Sequence, residues 1–72
     1  MTPRQVKAKA EALLRKAHPD AVLTITWVQS PRRVTYPTGL KGIYGTMRVA
    51  APGYRTRLMI ADHDASGTMV RG

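Results

Sequence analysis

Eight side chains in the middle of this chain could act chemically on an anion: Arg32, Arg33, Tyr36, Lys41, Tyr44, Arg48, Arg55 and Arg57. Guanidinium and ammonium groups meet phosphate or carboxylate oxygens, and a phenol ring adds a surface on which a base or sugar can stack. The chain carries 12 Lys and Arg against 4 Asp and Glu, a formal charge of +8, and no acid falls between Asp20 and Asp62. Basic charge concentrated in this way points to a polyanionic partner. That partner is nucleic acid (DNA or RNA alike) or an acidic protein surface.

Asp62-His63-Asp64 has the residue types of a metal or acid–base site. Neighbours on an extended backbone point to opposite faces, so three ligands in a row do not converge, and a solvated turn is the expected reading. His18, just before Pro19, reads as a helix terminus. No base and nucleophile can be named, so the expectation is a binding module without cofactor or metal. The catalytic alternative is a nuclease using Arg, Tyr and His.

These side chains need elements to hold them. Thr2-Pro3-Arg4-Gln5 carries a helix-start signature: threonine as N-cap, proline in the first turn and glutamine three residues past the cap. Val6, Ala10, Leu13, Leu14 and Ala17 recur at helical spacing, flanked by Lys7, Lys9, Arg15 and Lys16, and Pro19 stops the helix. Glu11 precedes Arg15 by one turn, which predicts an exposed ion pair. Ala21 to Gln29 alternates Leu23, Ile25 and Trp27 with Thr24, Thr26 and Val28, predicting a strand with Trp27 on the core side. Ser30 to Gly42 holds Pro31, Pro37, Gly39 and Gly42 and reads as a flexible basic loop, in which Arg33–Tyr36 could form a short strand.

Ile43 to Asp62 reads as a β-hairpin turning at Pro52-Gly53, where proline and glycine suit a type II turn. With Ala51 opposite Tyr54, Arg48 falls opposite Arg57, Met47 opposite Leu58 and Gly45 opposite Ile60. That register places Ile43, Met47, Val49, Leu58 and Ile60 in the core. Tyr44, Thr46, Arg48, Arg55, Arg57 and Met59 then share the other face, at the cost of two opposed arginines. Gly45 marks a bulge or close packing against Trp27. The tail 63–72 is expected to fray, with Thr68–Arg71 as a candidate edge strand.

The predicted fold is α+β: one N-terminal helix on an antiparallel sheet of three strands, four if the tail joins, in the order α-β-β-β. It forms a single domain over 1–72, as a monomer or as a homodimer paired at sheet edges. One helix covers one sheet face, so the other must meet solvent or a partner. No apolar run approaches the roughly 20 residues of a membrane span. The start, Met1–Gln5, lacks the apolar core of a signal peptide, so the cytoplasm is the expected location.

Two local patterns bear on function. Gly39-Leu40-Lys41-Gly42 has the Gly-x-x-Gly spacing with which KH domains clamp a nucleic-acid backbone, but there the loop joins two helices and here a strand follows. Leu40-Lys41-Gly42-Ile43-Tyr44, with Met47-Arg48-Val49 and Gly53-Tyr54-Arg55, resembles the central hairpin of bacterial ribonuclease toxins of the RelE/ParE type. That resemblance implies a basic, ribosome- or gyrase-directed surface. The family's leading strand and helical hairpin have no counterpart here, so it carries no catalytic role over. The functional expectation is non-catalytic nucleic-acid binding through an Arg/Tyr-rich open sheet face and a basic loop. The alternative is a phage- or plasmid-type accessory protein that binds and inhibits an acidic protein surface.

Overall fold

A computed structural model describes residues 1–72. The chain runs α1 (Pro3–Ala17), β1 (Thr24–Thr35), β2 (Lys41–Ala50), β3 (Arg57–Asp64) and β4 (Gly67–Arg71). The strands form one antiparallel sheet in the order β1-β2-β3-β4, with the helix packed on one face. This is the α+β arrangement that the sequence predicts, with the tail as a complete fourth strand.

The helix begins as its residues dictate. Thr2 Oγ1 accepts the Gln5 backbone N–H at 3.2 Å, and Gln5 Oε1 accepts the Thr2 N–H at 2.8 Å. A cap of this kind contributes about 1 kcal/mol. Val6, Ala10 and Leu14 form the buried stripe. The expected Glu11–Arg15 pair does not form. Instead Glu11 Oε2 accepts the Trp27 indole N–H at 3.3 Å, and Arg15 Nη1 donates to the Leu23 carbonyl at 3.4 Å. Both side chains therefore tie α1 to the segment it covers, which for a half-buried Trp27 also satisfies the polar edge of the ring.

Most of the predicted loop at 30–42 is strand. β1 continues through Pro31 to Thr35, leaving only Tyr36–Leu40 as a turn, closed by Tyr36 N–H to Leu40 O and Gly39 N–H to Tyr36 O, both at 2.8 Å. Proline is admitted because β1 is an edge strand and bulges there. The pairs Trp27↔Met47, Gln29↔Thr46 and Arg32↔Tyr44 show two register shifts. Each adds a residue to β1 that β2 does not match. Gly45 makes the room: a Cβ there would stand 2.8 Å from both the Gln29 carbonyl oxygen and the Pro31 nitrogen.

The Pro52-Gly53 turn is as predicted, with Tyr54 N–H donating to Ala51 O at 3.1 Å and Gly53 at φ +81°. The ladder beyond it is not. Val49 pairs with Arg57, Arg48 with Leu58, Met47 with Met59 and Gly45 with Ala61. This is one residue out of the expected register, and a shift of one sends every β3 side chain to the other face. Leu58 and Ile60 therefore leave the core for the open face, while Arg57 and Met59 move to the helix side. Two contacts fix the choice. Ala61 is fully buried beneath α1 in a cluster with Ala10, Leu14, Met47 and Val49. The same register turns Asp62 away from the helix, where Arg71 reaches it.

The predicted frayed tail is also corrected. β4 pairs with β3 through Ile60↔Arg71, Asp62↔Met69 and Asp64↔Gly67, and Asp64 Oδ1 accepts the Ser66 N–H at 2.7 Å in the turn. Leu23, Ile25, Trp27, Met59 and Val70 close around the central cluster. No helix is long and apolar enough to cross a membrane.

Candidate functional site

The uncovered face of the sheet is built from three rows of side chains. Arg32, Tyr44, Asp62 and Met69 form one row across all four strands; Gln29, Thr46, Ile60 and Arg71 form the next; Thr26, Arg48 and Leu58 form the third. Paired residues of adjacent strands share a face, so these rows present their side chains together. Tyr44 and Thr46 are half-buried at the centre, and Arg32 and Arg48 are exposed beside them. Leu58 and Met69 are also exposed, at 62% and 50%. The face therefore carries exposed arginines on β1 and β2 and exposed apolar side chains on β3 and β4.

Tyr36 joins this face from the β1–β2 turn. Its ring lies over Gly42, where a Cβ would come within 2.7 Å of Tyr36 Cε2. Burial, and then the negative charges of Asp62 and Asp64, push the Tyr36 phenol above its ordinary value of 10.0, outweighing the opposite pull of Arg71. The hydroxyl is thus a neutral donor at any physiological pH.

Asp62 and Arg71 were not expected here. Asp62 is 7% exposed, and its Oδ2 accepts from Arg71 Nη2 at 3.1 Å and from Nε at 3.3 Å. Oδ1 is buried and has no hydrogen-bond partner. The pair is the only ion pair in the chain, so Arg32 and Arg48 keep their full charge for something outside the molecule. A diagonal Asp–Arg contact across the tight Ala65-Ser66 turn is the signal that could have revealed it.

The eight predicted residues divide evenly. Arg32, Tyr36, Tyr44 and Arg48 gather on the open face. Arg33, opposite Ile43, and Lys41, opposite Thr35, lie on the other side of the sheet. There they line a hollow of about 440 Å³ with Met1 and His63. Arg55 sits outside the strands, and Arg57, opposite Val49, is on the helix side near the end of α1. The opposed Arg48–Arg57 pair does not exist.

Asp62-His63-Asp64 lies in β3, not in a solvated turn. Asp62 faces outward, His63 faces the helix side with its Nδ1 2.8 Å from Thr68 Oγ1, and Asp64 caps the following turn. The three diverge, as their adjacency requires. The imidazole's one hydrogen bond is to Thr68, and no carboxylate backs it, so this is a cross-strand pair rather than an activated nucleophile. What the open face can do is hold anions at Arg32 and Arg48 and lay flat groups on Tyr44.

The segment 40–55 that resembles the RelE/ParE hairpin does turn back on itself, although Tyr54 and Arg55 fall in the connection and not in a strand. Comparison of the chain with protein-family models, curated proteins and solved structures gave no match.

Proposed function

We propose that this chain is a non-catalytic nucleic-acid-binding module that takes a single strand on the open face of its sheet. The observation that supports this most is the charge pattern there. The face's central acid, Asp62, is buried and closed onto Arg71, while Arg32 and Arg48 stand unpaired on either side of Tyr44. Phosphates meet the two arginines and a base stacks on Tyr44. Tyr36 extends the platform at the β1–β2 end. Leu58, Ile60 and Met69 give unstacked bases apolar surface, which a duplex, with its bases turned inward, cannot use. Phosphate contacts and stacking read no base edge, so little sequence preference is expected.

The test is a titration of labelled single strands of DNA and RNA, and of a duplex, over a range of salt. Binding to single strands should weaken steeply as salt rises. Arg32→Ala/Arg48→Ala should lower the slope of log K against log salt by about 1.4, two phosphates at roughly 0.7 each. Tyr44→Ala should cost about 1–3 kcal/mol for one lost stack. Arg57→Ala, on the other side of the sheet, should change neither. Absence of binding to both nucleic acids at low salt, with retention of an acidic protein control, would assign the face to an acidic protein partner instead.

A further inference from the structure

Arg55 and Arg57 take no part in the open face, yet both are exposed and neither has a carboxylate partner. They border a cleft of about 420 Å³ between the end of α1 and the β2–β3 connection. Its walls are Leu14, Leu23, Val49, Met59, Ala51 and Tyr54, with His18 at the helix end. The volume falls within the roughly 300–1,000 Å³ of sites that bury a ligand or an anchoring side chain. Next to it, Val22 and Tyr54 are 75% and 79% exposed, so apolar surface continues out of the cleft. The one carboxylate close by, Asp20, lines the adjoining hollow and pairs with neither arginine.

We propose that this cleft is a second binding site, for an acidic segment of another protein that inserts one large apolar side chain. The floor selects an aliphatic or aromatic anchor, and Arg55 and Arg57 meet carboxylates on either side of it. Complementarity argues against the other occupants. A second copy of this chain brings +8 onto +8, and its one exposed acid is Asp20, since Asp62 is buried and the half-buried Glu11 and Asp64 already accept from Trp27 and Ser66. A nucleic-acid base pushed into the cleft would leave the donors and acceptors of its edges unpaired among Leu14, Leu23, Val49 and Met59. The site lies on the helix side of the sheet, so both partners could be held at once, one on each side of the molecule.

The four methionine methyl groups serve as reporters. Met59 lines the cleft, Met1 lines the hollow at the opposite end and Met47 is fully buried, while Met69 belongs to the open face by register and also borders, with Met59, a hollow between α1 and β4. Methyl-labelled protein is titrated with a short peptide of glutamates around one leucine, with the same peptide carrying lysines, with a single-stranded oligonucleotide, and with phosphatidylglycerol vesicles. The acidic peptide should shift Met59 and leave Met69 in place. The oligonucleotide should do the reverse, so failure at one site is distinguishable from failure at the other. Arg55→Ala/Arg57→Ala should weaken the peptide roughly ten-fold or more, as loss of one good charged contact would. The proposal is overturned by an unmoved Met59 methyl, by an equal response to the lysine peptide, or by a Met59 response confined to vesicles.

Discussion

Arg48 faces Leu58 across the β2–β3 ladder, and Arg57 faces Val49. Arg48 therefore has an apolar neighbour on one side and Thr26 on the other, with no like charge against it. Its guanidinium can rest its stem on Leu58 and keep its head in water, the usual arrangement for a cation beside an apolar surface. The relationship also fixes which arginines can act on one ligand. Arg48 shares the open face with Arg32, whereas Arg57 and Arg55 both border the cleft at the end of α1.

Removal of Arg48 should accordingly relieve nothing. Arg48→Ala is expected to leave stability within about 0.5 kcal/mol of the parent, as an exposed change away from any buried contact does. Urea unfolding midpoints measure this. A gain well beyond that range would mean that a like charge does oppose Arg48, and with it that the β3 register is wrong.

Gly45 is the residue least able to accept a side chain. The Cβ of Gly45→Ala would meet backbone atoms of Gln29 and Pro31 at 2.8 Å, and backbone cannot rotate aside. The expected loss is about 1–3 kcal/mol, the range for a forced overpacking. Denaturant unfolding gives the magnitude, and amide shifts at Gln29 and Ser30 show where the strain is taken up. A neutral substitution would show that the β1 bulge does not rest on this glycine.

The Asp62–Arg71 pair should be asymmetric. Arg71→Ala leaves a carboxylate that is 7% exposed without a donor, at a cost of about 1–3 kcal/mol. In an Asp62→Asn background the same arginine change should cost much less, because no charge remains to be answered. The double-mutant cycle is expected to give a coupling of at least about 0.5 kcal/mol. Additive effects would mean that the contact contributes nothing to the fold.

Tyr36 predicts the alkaline limit. Its phenol is raised above 10.0 by burial and by Asp62 and Asp64, so the folded chain holds this proton more tightly than the unfolded chain does. A raised value means that the contribution is fully present below the unfolded value and is lost as pH climbs through the folded one. Stability should therefore begin to fall as pH rises past about 10 and keep falling through the higher folded value, and Tyr36→Phe should fall less over the same interval. Identical declines in the two proteins would remove Tyr36 as the cause.

How much of this could be read from the residues depended on how local the deciding contact was. The helix was legible because Thr2, Pro3 and Gln5 adjoin the element they start. The Pro52-Gly53 turn was legible because proline and glycine set their own dihedrals. β1 was not: Ser30, Pro31 and Arg32 read as a loop on any local scale, and only a glycine in the next strand makes the bulged path possible. The β3 register was also hidden. Leu58-Met59-Ile60-Ala61 is four apolar residues in a row, so either alternation buries something suitable. The decision lies with Ala10 above Ala61 and with Arg71 beside Asp62, both remote in sequence. The binding face was half legible for the same reason. Tyr44 and Arg48 sit on β2, whose core side was assigned correctly, and Arg32 was named from a stretch read as loop, whereas β3 was assigned with a slipped register and the tail was expected to fray.

The irregular course of β1 has a consequence for how the protein behaves when crowded. At twelve residues it is the longest strand, and it lies on a free margin of the sheet, where unpaired backbone groups invite another chain to add itself. The two bulges and Pro31 break that row of donors and acceptors into short, misaligned pieces. The opposite margin, β4, is only five residues long. Neither margin thus offers a long regular row on which another chain could add itself. If Val28 were deleted and Pro31 replaced by valine, one bulge would close and the missing donor would return, leaving a longer regular row of backbone groups for another chain to pair with.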